Sequence, residues 1–230
     1  MDFSTTKKQI TTTDEVYKDR NVKQPSNVYR IIKRFIDILG SVVGLLLTIP
    51  VFLVLFFCYR FGDNKGPMFF KQKRIGKNGK EFYIYKFRSM VMDAEEKLKG
   101  NQVLYAKYIQ NDYKLEPSED PRITKLGAFI RKTSLDELPQ FYNVLKGNMS
   151  LVGPRPVVEE ELREYKNRVE EFLSVKPGIT GYWQASGRSN VKYPERVDIE
   201  LYYVYNQSFT LDIKIMFKTI IQVIARKGAY

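Results

Sequence analysis

The sequence predicts an α/β fold, mostly helical, with a small antiparallel sheet or hairpin and an N-terminal membrane helix that turns back on itself. Three observations carry that prediction. Residues 38–59 contain no charged side chain, a run long enough to cross a hydrocarbon core as a helix. Residues 68–90 alternate apolar and polar positions around Lys77-Asn78-Gly79-Lys80, the pattern of a hairpin. Helical periodicity then recurs through the rest of the chain.

Residues 1–27 are rich in Thr, Lys, Asp and Gln and leave through Pro25-Ser26-Asn27, as expected of a solvated cytosolic tail. The apolar run starts too late for a signal peptide, and no small-residue cleavage site follows it. Residues 28–60 form the expected membrane-embedded segment. Arg30, Lys33 and Arg34 precede its apolar run, and Arg60, Lys65, Lys71, Lys73 and Arg74 follow it. Positive flanks stay on the cytoplasmic side. A straight span satisfies only one flank, whereas a re-entrant helix satisfies both. Pro50 is the expected bend, because proline removes a backbone hydrogen bond and clashes with the preceding turn, while Ser41 and Thr48 offer hydroxyls to freed backbone groups.

Residues 61–230 form the expected catalytic domain. Helical patterns cover residues 93–108, 126–132 and 138–145, and a charged surface helix is expected over residues 159–173, before Lys176-Pro177-Gly178. Over residues 211–225 the pattern places Ile213, Met216, Phe217, Ile220, Ile221 and Ile224 on one face. Such an amphipathic helix suits a membrane interface or a protein core.

Composition narrows the chemistry. The chain of 230 residues has no histidine, which excludes the usual general base, Ser-His pairs and His-ligated zinc. Its one cysteine, Cys58, lies in the apolar run, so a disulfide framework and a thiolate metal cluster are excluded too. The net charge of +12 suits nucleic acid, an anionic membrane or a phosphorylated substrate. Position favours the last two. Residues 60–88 hold nine Lys or Arg against Asp63 and Glu81, and each juxtamembrane cation contributes roughly 1 kcal/mol at an anionic surface. No nucleic-acid partner is expected. Phosphate-loop and dinucleotide-binding glycine motifs are both missing from the sequence, so ATP hydrolysis and hydride transfer have no support.

Within Thr133-Ser134-Leu135-Asp136-Glu137-Leu138-Pro139-Gln140, Ser134 and Glu137 have the spacing of a capping box, and acids suit a first helical turn. The same segment supports chemistry. Amide donors and the cations Arg131 and Lys132 would keep Asp136 ionised at neutral pH, and an ionised carboxylate attacks phosphorus without a base. Glu137 can then hold Mg²⁺ against a diphosphate. In Gly153-Pro154-Arg155-Pro156 two prolines hold one guanidinium, which suits bidentate phosphate recognition. Lys86 and Arg88 in the YKFRSM strand end, and Arg188 after Gly187, are further phosphate candidates.

The segments KRFID, KFRSM, DPRITKLGAFIRKTSLDELPQFYNVLKGNMSLVGPRP, KPGITGYWQASGR and LDIKIMFKT occur in this order. Together they resemble the bacterial sugar transferase family, the monotopic polyprenyl-phosphate phosphoglycosyl transferases. The resemblance covers residues 29–230. It implies transfer of a sugar 1-phosphate from a UDP-sugar to polyprenyl (undecaprenyl) phosphate with release of UMP, the first membrane step of capsule, exopolysaccharide or glycoconjugate synthesis. It implies that Asp136 is the nucleophile of a covalent phosphosugar intermediate and that Glu137 is a Mg²⁺ ligand. Arg131 and Arg155 match basic residues near the phosphates, and Asp212 in LDIKIM matches a further acidic position. It also implies a re-entrant helix broken at a Ser-Pro pair, where this chain has Ile49-Pro50, and a catalytic domain on the cytoplasmic face of the bacterial inner membrane. The multi-span N-terminal region of longer members is not expected here. Two other readings remain open at this stage. One is a glycosyltransferase releasing UDP. The other is a basic membrane-anchored binding module without catalysis.

Overall fold

In the computed structural model, which describes residues 25–111, 115, 116, 118–186 and 191–225, the chain enters its first helix at Ser26. The Ser26 hydroxyl accepts from the Tyr29 N–H at 3.2 Å and caps helix α1, Asn27–Cys58. Residues 1–24 of the expected tail, and Arg188, lie outside the described residues.

Helix α1 runs unbroken through Pro50 over 32 residues. At Pro50, where the sequence predicts a bend, the backbone stays helical. Ser41 and Thr48 donate to the Ile38 and Gly44 carbonyls, and not to the Leu46 carbonyl that Pro50 deprives of its helical donor. Asp37, Ser41, Gly44, Thr48 and Leu55 form the buried face. Ile31, Phe35, Leu46, Leu47, Val54 and Phe57 stay exposed, as they would if lipid covered them.

Both ends of α1 dock on the same protein body. Near its start, Arg34 donates to the Val144 and Leu145 carbonyls, each at 2.8 Å. The Asp37 carboxylate accepts from the Ser150 hydroxyl and the Leu151 N–H, each at 2.9 Å. Gly44 permits close approach at mid-helix, since a Cβ there would lie 2.7 Å from the Phe141 ring. At the far end Leu55 and Tyr59 pack with Phe87 and Ile130, and the Tyr59 hydroxyl donates to the Arg88 carbonyl.

The expected hairpin forms from β1, Phe69–Ile75, and β2, Glu81–Phe87. Its antiparallel register pairs Phe70 with Lys86, Gln72 with Ile84 and Arg74 with Phe82, which puts these six side chains on one face. Phe82 and Ile84 pack on Val144 and Met149. The turn places Asn78 and Gly79 at φ 58° and 74°, conformations that suit these two residue types.

The helical pattern over residues 93–108 resolves into α2, Ala94–Gly100, and α3, Gln102–Gln110. Asn101 separates them, its side chain accepting from the Leu104 N–H at 3.0 Å. Helix α4, Lys125–Lys132, is capped by Thr124, and α5, Gln140–Lys146, ends at Gly147. Strands β3, Ser150–Val152, and β4, Gly178–Thr180, pair in parallel. The sequence reading has only an antiparallel sheet, because strands of three residues leave too short a pattern to detect.

The single charged helix expected over residues 159–173 is instead a 3₁₀ segment, Glu160–Arg168, and helix α6, Val169–Leu173. Lys166 at φ 50° breaks the helical path. This stretch buries Glu161, Tyr165 and Phe172, so it is core as much as surface. Helices α7, Tyr182–Ala185, α8, Glu195–Tyr205, and α9, Phe209–Ile224, complete the described elements. Val197, Leu201 and Val204 of α8 share a core with Tyr165 and Phe172. Helix α9 buries Ile215 and exposes Ile213, Phe217, Ile220, Ile221 and Ile224.

Candidate active site

The acidic pair sits in a 3₁₀ turn, Leu135–Glu137, between α4 and α5. The capping box is not formed. Ser134 adopts the left-handed conformation at φ 57° and makes no side-chain cap bond, while its N–H donates to the Arg131 carbonyl at 3.0 Å. Ser134 thus closes α4 instead of opening the next helix. A non-glycine residue there carries strain of about 1 kcal/mol or more, of the kind that collects at functional sites.

Three elements converge on this turn. Strand β2 delivers Lys86, whose ammonium stands 2.6 Å from Glu137 Oε1. Helix α4 delivers Arg131, whose Nε is buried without a hydrogen-bond partner among the described residues. That helix is pressed against the end of β2, since a Cβ on Gly127 would fall 1.8 Å from the Ser89 carbonyl oxygen. The loop after β3 delivers Arg155. Its N–H donates to Glu200 at 3.2 Å, and Glu200 is itself held by Arg196 at 2.8 Å. The Arg196 guanidinium stacks over Trp183 at 4.1 Å. The guanidinium of Arg155 has no hydrogen-bond partner among the described residues.

Asp136 is 9% exposed. Burial first, and the neighbouring Glu137 charge second, push its pKa up to about 6, against the pull of Lys86 and Arg131. The sequence argument has cations keeping this carboxyl ionised; here they only limit an upward shift. Asp136 remains largely ionised at neutral pH and still titrates close to it. Burial also pushes Glu137 up, but Lys86, Arg155 and Gln140 together outweigh it and hold Glu137 below the usual carboxylate range. The Glu137 side chain keeps 39% of its exposure. Two adjacent acids with pKa values pushed apart are suited to different tasks.

A family model described as bacterial sugar transferase matches residues 28–226. The chain belongs to this bacterial sugar transferase family. Among its curated relatives, the undecaprenyl-phosphate galactose phosphotransferase of Salmonella typhimurium is 48% identical over 204 residues, covering 87% of this chain and 42% of that protein. The UDP-glucose:undecaprenyl-phosphate glucose-1-phosphate transferase of Escherichia coli is 38% identical over 213 residues, covering 89% and 43%. The exopolysaccharide production protein ExoY of Rhizobium meliloti is 44% identical over 202 residues, covering 86% and 88%. The chain thus spans about two-fifths of the first two relatives and most of the third.

Within this member of the sugar transferase family, Lys86, Arg131, Asp136, Glu137 and Arg155 come together. Arg88 does not join them. It is buried and donates to the Pro67 carbonyl at 2.7 Å, the Met90 carbonyl at 3.1 Å and the Asn64 carbonyl, so it clamps backbone. Asp212 is likewise occupied, accepting from the Tyr29 hydroxyl at 2.7 Å, Lys33 at 2.8 Å and the Tyr203 hydroxyl at 2.7 Å. It pins α1 to α8 and α9. The sequence reading does not single out Gln140, Glu200, Arg196 or Arg74. The i, i+4 spacing of Arg196 and Glu200 is the one signal that could have marked their pair.

Proposed function

We propose that the chain is a phosphoglycosyl transferase, moving a sugar 1-phosphate from a UDP-sugar to polyprenyl phosphate at the cytoplasmic face of the bacterial inner membrane. The observation that carries this reading is Asp136, a buried, ionisable carboxylate set between Lys86 and Arg131 beside a second acid. The names of the Salmonella and Escherichia coli relatives agree with it.

In the first half-reaction an Asp136 oxygen attacks the sugar-side phosphorus of the donor. A P–O bond to aspartate forms, the phosphoanhydride bond breaks, and UMP leaves with the bond pair. In the second, an oxygen of polyprenyl phosphate attacks the same phosphorus and Asp136 regains its carboxylate. The acceptor is already an anion, so neither step needs the general base that a chain without histidine would struggle to provide. One phosphoanhydride replaces another, so no outside energy source is required. Lys86, Arg131 and Arg155 hold the phosphates and offset developing charge.

Mg²⁺ fits this site on the chemistry of its donors. Among the described residues no cluster of three metal-ligating side chains occurs. Mg²⁺ commonly uses one or two carboxylates and takes its other ligands from substrate phosphates and water. Glu137, kept ionised by its neighbours, is the carboxylate that would hold it against the donor diphosphate, where the ion would neutralise phosphate charge.

The membrane reading rests on α1. Its apolar face is open, and both of its ends meet one protein body. An anchor docked in this way would leave both positive flanks on one side of the bilayer, as a re-entrant or interfacial course requires and a perpendicular span does not. Exposed Phe217, Ile220 and Ile224 of α9 offer a second lipid contact.

The test is to identify the nucleotide released when detergent-solubilised protein meets Mg²⁺, polyprenyl phosphate and a panel of UDP-sugars. UMP, lost in Asp136→Asn, is the expected product. UDP would replace this reading with glycosyl transfer, and no release from any donor would leave a binding module.

A further inference from the structure

Arg74 lies on the same face of the hairpin as Lys86, further from the acidic pair, and its surroundings are electrostatically unfinished. One terminal nitrogen donates to Gln72 Oε1 at 2.7 Å. The other donates to the Pro156 carbonyl at 3.2 Å, one residue beyond Arg155. The nearest carboxylate, Glu161, is 3.9 Å away, too far for a hydrogen bond. Arg74 Nε and Glu161 Oε2 are both buried with no partner among the described residues, in side chains only 11% and 6% exposed. Burial first, and the Arg155 charge second, pull the Arg74 pKa down to about 10. Arg74 therefore has one poorly aligned carboxylate and the Arg155 charge beside it, in a place where unpaired charge is costly. An anion between them would settle the surplus.

We propose that Arg74 and Arg155 together bind the nucleotide-side phosphate of the donor, with Glu161 and Gln72 positioning Arg74, while Lys86 and Arg131 serve the phosphorus that Asp136 attacks. The naming of the two phosphates rests on the phosphosugar-transfer reading. The division of labour follows from position, because Arg74 donates to the Pro156 carbonyl at 3.2 Å, one residue from Arg155, whereas Lys86 is bonded to Glu137 at 2.6 Å and Arg131 closes the helix that leads into the acidic turn. The clamp would hold the departing UMP phosphate in line and stabilise it as it takes up charge.

The experiment is calorimetric titration of UMP into the full-length solubilised chain, as wild type, Arg74→Gln and Arg74→Lys. Arg74→Gln is expected to weaken UMP binding by about 10- to 100-fold, the loss of a charge-assisted contact. Arg74→Lys keeps the charge that faces Glu161, and so the fold, but loses the fork, and is expected to weaken UMP binding several-fold. Polyprenyl phosphate affinity should stay unchanged in both. UMP affinity equal to wild type in Arg74→Lys and in folded Arg74→Gln overturns the proposal, as does a wild type that does not bind UMP. Failure of the transfer reading looks different: UMP binding that depends on Arg74, with no UMP released from any UDP-sugar.

Discussion

Lys86 Nζ lies 2.6 Å from Glu137 Oε1 across a separation of 51 residues, and this contact joins the hairpin to the turn that carries Asp136. Both partners are partly exposed, so the pair adds at most about 1 kcal/mol of stability. Its larger effect is on titration. Turnover should fall as pH drops through about 6, where Asp136 takes up a proton, by about tenfold per pH unit below it. Lys86→Met removes a charge that holds both acids down, so the acid limb of the paired titration moves to higher pH. UMP release measured from pH 4.5 to 8 in both proteins checks this, and an unmoved limb would separate Lys86 from the acids.

Asp136→Asn should abolish transfer and stabilise the fold. The folded-state pKa of about 6 lies above the ordinary aspartate value of 3.8, so the folded protein holds that proton more tightly than the unfolded chain does. Stability therefore declines as pH rises from about 4 through 6, and the full penalty stands above that window. Removing the charge should recover on the order of 2–3 kcal/mol at pH 7.5. The gain should vanish near pH 4. Denaturant midpoints at the two pH values, taken with a chelator present, decide it.

Asp212→Ala should destabilise by about 3–5 kcal/mol, since it strands the Lys33 ammonium and two hydroxyls in a buried place. Asp212→Asn should cost less, because the amide oxygen still accepts. Thermal midpoints of the solubilised proteins rank the two, and equal midpoints would show that the carboxylate is dispensable.

Cysteines placed singly at Val28 and at Asn64, in a Cys58→Ser background, should both react only from the cytoplasmic side in intact cells and inverted vesicles. Opposite-sided reaction would mean a complete span and would require α1 to leave the body it packs against.

The hairpin, α4, α5 and α9 were legible because each holds its own periodicity over several residues. The acidic pair was legible as chemistry but not as local structure. Ser134 has capping spacing, yet its N–H closes α4 on the Arg131 carbonyl three residues back, and residue spacing does not rank that local bond against the cap. Arg88 and Arg155 look alike in sequence, each a guanidinium in a basic or proline-rich setting. Only the fold reveals that carbonyls from Asn64, Pro67 and Met90 occupy one and leave the other open. The upward shift of Asp136 was hidden for the same reason, since the charges beside it are readable and the depth of its burial is not. Pro50 is the reverse case, a strong local signal for a bend at a point where the backbone of α1 stays helical.

That docking has a mechanical consequence. Arg34 and Asp37 fasten the start of α1, and Leu55 and Tyr59 fasten its end, so the apolar helix and the body that carries the acidic pair are packed as one piece. On the phosphosugar-transfer reading, Asp136 would then sit at a fixed height over the lipid head groups. The acceptor would reach it by sliding in two dimensions beneath a stationary carboxylate, and loss of the tertiary fold and release from the membrane would become a single event.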